Sequence, residues 1–211
     1  EDDSEKNNLN AITGSYSVHT LSDDETTAKL ANGVRRFKLP EEYNYIKIFQ
    51  RIAEQHNSSN AERALRQLTD IFKNRRQYPK AAKYLEESIK RFGPGVQNYM
   101  KKELEQIVGN WGAFEPAKCA PAGEESNIFF KFRNAGEVRF EAFEIKEEKL
   151  VNDLISYIRS NPAELDWNKL TIENVGWRII QNNEKKYIGG KTAEWTVKLN
   201  PPKDHFDKTI K

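Results

Sequence analysis

Cysteine is nearly absent from this 211-residue chain. A single residue, Cys119, excludes an intrachain disulfide and any structural zinc site built on several cysteines. Low cysteine use suits cytosolic chains and equally suits exported ones without disulfides, so the redox compartment stays open. Long apolar runs are missing too. None reaches the roughly 18 consecutive apolar residues that a membrane span needs, and no basic-then-apolar leader opens the chain. The chain starts on Glu1 without an initiator methionine, as expected of a trimmed or processed chain, so the missing leader carries no information about destination.

Catalytic signatures are equally scarce. The three histidines, His19, His56 and His205, fall in expected loops far apart in sequence, and Cys119 lies in a Pro/Ala-rich connection. Nucleophilic catalysis needs a base within hydrogen-bond reach of the nucleophile, so Cys119 reads as a free thiol. Gly189-Gly190-Lys191-Thr192 has the end of a phosphate-binding loop without its leading glycine. Glu141 and Glu144, three apart on an expected strand, point to opposite faces and form no simple carboxylate pair. Asp204-His205-Phe206-Asp207 gathers three metal-ligand side chains with no second set nearby, and it reads as a polar turn. No catalytic, cofactor-binding or metal-binding residue is assigned, and the chain is not expected to be an enzyme.

What is present is charge, 31% of residues, over a 37% hydrophobic content that suits a globular protein with a thin core. The net +2 conceals a gradient. Residues 1 to 34 hold two basic and seven acidic side chains, residues 35 to 110 sixteen and nine, and residues 111 to 211 sixteen of each.

Residues 1 to 38 are acidic, with too few large apolar side chains to offset the entropy of ordering, so this segment is expected to be largely irregular. Order is expected near Tyr16 to Leu21, and a short helix over Asp24 to Ala31. Leu39-Pro40 opens a helical region to residue 110. Tyr43, Ile46, Phe49, Ile52 and Ala53 form one apolar stripe. Asn60 is the expected cap of a second helix carrying Ala64, Leu65, Leu68, Ile71 and Phe72. A third helix runs from Pro79 to Phe92, where Gly93-Pro94-Gly95 stops it, and a fourth from Val96 to Val108.

After Gly109 the pattern becomes alternation, and residues 111 to 211 read as a β-rich domain. Gly112 to Asn127 reads as an irregular connection. Ile128 to Arg133 and Val138 to Phe143 alternate around Asn134-Ala135-Gly136, which predicts a hairpin. Glu147 to Ser160 is an inserted helix with Leu150, Val151, Leu154, Ile155 and Ile158 on one face. Trp177 and Ile179 alternate as Trp195, Val197 and Leu199 do, which predicts a second hairpin. A final strand is expected to begin at Thr209 and to be cut short.

The stretch from Leu65 to Gly95 resembles one degenerate tetratricopeptide repeat. Leu65, Leu68 and Phe72 fall at the large positions of its first helix, and Ala81, Leu85 and Ser88 at the small-large-small positions of its second. Thr69 stands where the pattern has glycine, and Pro94 comes one residue late. Such a unit is a docking surface. The basic turn around it, Lys73, Arg75, Arg76, Lys80 and Lys83, reads first as a solvated repeat surface, the alternative being a partner-binding patch for phosphates or an acidic partner. Without exposed aromatics interleaved with that charge, nucleic acid is not an expected partner.

FKFRNAGEVRFEAFEIKEEKL, with LDWNKL, VGWRII and AEWTVKLNPPKDHFD after it, resembles the amino-terminal region of bacterial alpha-2-macroglobulin family proteins. The similarity reaches back through RRFKLPEEYNYIKIFQRIAEQ and covers roughly residues 30 to 211. It implies a non-catalytic, exported section (secreted, periplasmic or cell-surface) of a larger protease-trapping protein. Its partners would be other domains of the parent chain, a protease or a peptide. The family's thioester, a cysteine in a Cys-x-Glu-Gln setting, has no counterpart, because Ala120, Pro121 and Ala122 follow Cys119. The alternative is a free-standing tetratricopeptide-type adaptor with an appended β-domain. Either way the expected class is α+β: helical hairpins, then an antiparallel, sandwich-like β-domain with one inserted helix.

Overall fold

The computed structural model describes residues 18–31, 33–55, 58–116, 123–170, 176 and 184–211. His56, Cys119, Trp177 and Ile179, and with the last two the strand expected around them, lie outside the described residues. The class is α+β, with small antiparallel sheets and no closed barrel among the described residues. Two compact units divide the chain: residues 1 to 136 with 200 to 211, and residues 137 to 199. The first groups strands from beyond position 110 with the helices.

Four helices form the core of the first unit: α1 (Tyr45–Glu54), α2 (Ser59–Asn74), α3 (Tyr78–Phe92) and α4 (Tyr99–Val108). Their apolar residues recur at three- and four-residue spacing, so each helix buries one face. Ile46, Leu65, Leu68, Phe72 and Ala81 are fully buried in one cluster. The small Ala81 and Ser88 of α3 and Leu85 between them are all buried, which lets α2 and α3 approach closely. Phe72 stacks on Tyr84, with ring centroids 5.5 Å apart. At the position where glycine was expected, the buried Thr69 turns its hydroxyl back to the Leu65 carbonyl at 2.9 Å, so it leaves no donor unsatisfied. Ser58, not Asn60, caps α2, its hydroxyl accepting from the Ala61 N–H at 3.1 Å. The fourth helix starts at Tyr99, after a 3-10 turn over Val96–Asn98.

The α2–α3 turn closes as a Schellman motif: Gln77 N–H donates to the Phe72 carbonyl at 2.8 Å and Arg76 N–H to the Lys73 carbonyl at 2.9 Å. Arg76 occupies the left-handed position of that motif, φ +54°, where glycine is favoured. Arg76→Gly is therefore expected to raise the unfolding free energy by about 0.5–1 kcal/mol, read as a higher urea midpoint. A lower midpoint would mean that the arginine side chain contributes more than its backbone costs.

The amino-terminal segment is more ordered than its composition implies. In place of a helix over Asp24 to Ala31, β1 (Glu25–Leu30) pairs antiparallel with β2 (Gly33–Lys38), Glu25 opposite Lys38. Thr26, Thr27, Val34 and Phe37 suit a pleated ribbon, and Gly33 at φ +107° makes the turn. The cost of ordering is offset from outside the segment, because Leu21 is buried and side chains of the helices hold the backbone before β1.

A three-stranded sheet completes the first unit, with β4 (Phe130–Arg133) between β3 (Trp111–Phe114) and β7 (Lys208–Ile210). The strand expected at Thr209 is present, paired with Lys131. Trp111 to Phe114 is a strand rather than the start of an irregular connection. The Phe130 ring lies so close to Gly112 that an added Cβ would come within 2.3 Å of it.

The first predicted hairpin is corrected. Rather than pairing with β4, β5 (Glu137–Ile145) pairs with β6 (Ile188–Lys198), Phe140 opposite Trp195. Two things redirect the chain at Asn134-Ala135-Gly136. Asn134 sits at φ +59°, and its amide donates to the Ile107 carbonyl at 2.8 Å and the Gly109 carbonyl at 3.0 Å. Those bonds tie the turn to the end of α4. The nine residues of β5 meanwhile find a far longer partner in β6 than in four-residue β4.

In the second unit, β5 and β6 form a two-stranded ribbon, and α5 (Glu147–Arg159) and the short α6 (Trp167–Leu170) lie in sequence between them. The Phe140 ring stacks on Trp195 at 5.3 Å. Arg139, Glu141, Lys191 and Glu194 form an exposed ion-pair network, including Arg139–Glu194 at 2.5 Å and Arg139–Glu141 at 2.9 Å. Of the expected apolar stripe of α5, only Leu150 is buried.

Candidate partner-binding surface

The basic turn is largely engaged by its own chain. Arg75, at the end of α2, is buried. It donates to the Ser22 carbonyl at 3.0 Å, the Glu25 carbonyl at 2.6 Å and the Tyr45 hydroxyl at 2.8 Å. Lys80 pairs with Asp23 at 2.6 Å and lies 5.0 Å from the Phe72 ring. Lys73 pairs with Glu103 on α4, and Lys83 lies 5.9 Å over Tyr84. Arg76 is exposed on the turn itself and also has an interaction of its own. Lys73, Arg75, Arg76, Lys80 and Lys83 thus sit together at one end of α2 and α3, and two of them hold the acidic segment Ser22 to Glu25.

Sequence reading missed the polar residues that complete this dock. Buried Asn44 caps α1, accepting from the Lys47 N–H at 3.1 Å, while its amide donates to the Asp23 carbonyl at 3.0 Å. Gln77 donates to the His19 carbonyl at 3.1 Å and the Leu21 carbonyl at 2.6 Å. The available signal was electrostatic, an acidic segment followed by a basic one.

The Asp204 to Asp207 cluster is a turn. Asp204 accepts from the Phe206 N–H at 3.3 Å, and His205, at φ +60°, meets the Asn134 side-chain oxygen through Nδ1 at 2.7 Å. Asp207 pairs with Arg133 at 2.7 Å and with Lys131 at 3.4 Å. Each potential ligand is already partnered. Among the described residues no group of three or more His, Cys, Asp or Glu side chains is arranged to hold a metal ion. No described helix is long and apolar enough to cross a membrane.

In the second unit Asp153 of α5 accepts from Lys186 at 2.7 Å and from the Tyr187 hydroxyl at 2.9 Å, beside a cavity of about 380 Å³. Those two bonds hold the Asp153 carboxyl below its ordinary 3.8, while Asp153 first and Tyr187 second push Lys186 above its ordinary 10.5. A lowered carboxylate contributes stability that is present above its unfolded value and lost as pH falls through the folded one. The raised Lys186 contributes below about 10.5 and loses that contribution only at more alkaline pH. The tie between α5 and Tyr187 is therefore expected to hold through neutral pH and to fail in acid below about pH 4. Asp153→Asn should remove part of the acid-side fall in melting temperature. An unchanged acid limb in that variant would contradict the assignment.

Comparison of the chain with protein-family models, with curated protein sequences and with solved structures finds no match.

Proposed function

We propose that this chain is a non-catalytic scaffold and interaction section of a larger, exported, alpha-2-macroglobulin-like protease-trapping protein. The observation that carries this reading is the order of elements along the resembling stretches. After the β1–β2 ribbon come helices that pair as α2 and α3 do, with Ala81, Leu85 and Ser88, the small-large-small positions of the repeat resemblance, buried. Strands follow at FKFR, at EVRFEAFEI and at AEWTVK. The chain's antiparallel ribbons would be parts of a sandwich-like macroglobulin domain. Exposed apolar side chains support a role inside a larger assembly, since the second unit leaves Phe143, Ile158, Trp167 and Trp195 open to solvent. Other domains of the parent chain would cover them, and the role is structural and not enzymatic.

The sequence of the parent reading frame tests this. Strands continuing beyond Ile210 into further β-domains are expected, and a stop codon directly after Lys211 would favour the free-standing adaptor instead.

A further inference from the structure

We propose that the groove between α1 and α2 binds an acidic peptide segment, its carboxylates on Arg63 and Arg66 and its apolar side chains against Phe49 and Ile52. The groove has a volume of about 640 Å³, and among the described residues its lining holds two arginines and no carboxylate. The charge fixes the ligand's sign.

Arg63 and Arg66 stand three apart on α2, so they project from one side of the helix. Both are exposed, and no carboxylate among the described residues pairs with either. The Arg66 guanidinium lies 4.9 Å from the Tyr99 ring centroid, a cation–π contact that uses the face of the group and not its N–H donors. Arg91 reaches from α3 to donate to the Ala53 carbonyl at 2.7 Å and the Gln55 carbonyl at 2.8 Å, which anchors the end of α1. Phe49, Ile52 and Ala64 supply an apolar floor, and Asn60 a carboxamide at the rim. Charge above a floor of this kind selects a chain that alternates acidic with apolar side chains. This inference rests on the groove alone and holds whether or not the family reading does.

The test is fluorescence anisotropy of the full chain with a labelled octapeptide alternating glutamate and leucine, alongside its lysine–leucine counterpart and an oligothymidine. Saturable binding of the acidic peptide is expected, weakened about tenfold or more by R63E/R66E. The matched charge change K203E/K211E, elsewhere on the surface, should leave binding intact. Both arginines are exposed, and circular dichroism checks that the variants fold. The proposal is overturned if the acidic peptide does not bind, if both double variants weaken it equally, or if the lysine peptide or the oligonucleotide binds better. A dimer in sedimentation that R63E/R66E dissolves would assign the groove to a second copy and also overturn it.

Discussion

Arg75→Ala is expected to lower the unfolding free energy of the first unit by about 3 kcal/mol and to release the segment before β1. Arg75 is 5% exposed, and its guanidinium donates to three acceptors at once: the Ser22 and Glu25 carbonyls and the Tyr45 hydroxyl. Removing it takes the donor from two part-buried carbonyls and from the Tyr45 hydroxyl, each at a cost of about 1 kcal/mol, and leaves a void where the buried side chain lay. Lysine should rescue little, because a compact ammonium does not reproduce the planar fork that reaches residues on two elements. The neighbouring Lys80–Asp23 pair is about half exposed, so Lys80→Ala should cost under about 1 kcal/mol. Urea denaturation gives the size of the effect. Hydrogen exchange of β1 and β2 gives its location, since their amides should lose protection before those of α2. A loss below about 1 kcal/mol for Arg75→Ala would contradict the role given to this residue.

Asn134→Ala is expected to cost about 2–3 kcal/mol, for two separable reasons. The alanine cannot replace the amide that donates to Ile107 and Gly109, nor the oxygen that meets His205. It must also adopt φ +59°, which asparagine tolerates and alanine resists. Asn134→Gly separates the two. Glycine loses the hydrogen bonds but not the backbone freedom, so it should be milder than alanine by about 1 kcal/mol. Equal losses in the two variants would mean that the left-handed backbone contributes nothing there.

The helices were legible because one local pattern decides both their existence and their burial. Leu65, Leu68 and Phe72 recur at helical spacing, and all three are buried. The strands were legible only as strands. Alternation in FKFR and VRFEAF sets which side chains share a face and says nothing about which strand lies alongside, so β4 and β5 were joined wrongly. The bonds that separate them run from Asn134 to residues 25 and 27 positions away. The β1–β2 ribbon was missed although Asn32-Gly33 between Thr-rich and Val/Phe-containing stretches carries a hairpin signal. Its acidity argued for disorder, and the compensating contacts come from Arg75 and Gln77, more than 45 residues later in the chain. The basic turn was therefore visible as composition but not as an internal dock. Arg63 and Arg66 were not legible as a pair with an apolar neighbour, because only the fold brings Phe49 and Ile52 of α1 into the groove that they line.

The proposed role is tested most directly by incubating the purified parent protein with trypsin and separating the products by size exclusion. The account predicts protease activity toward a small chromogenic substrate co-eluting with the parent chain, together with loss of activity toward a large protein substrate. Trypsin eluting entirely as the free enzyme, with its activity on large substrates undiminished, would contradict it.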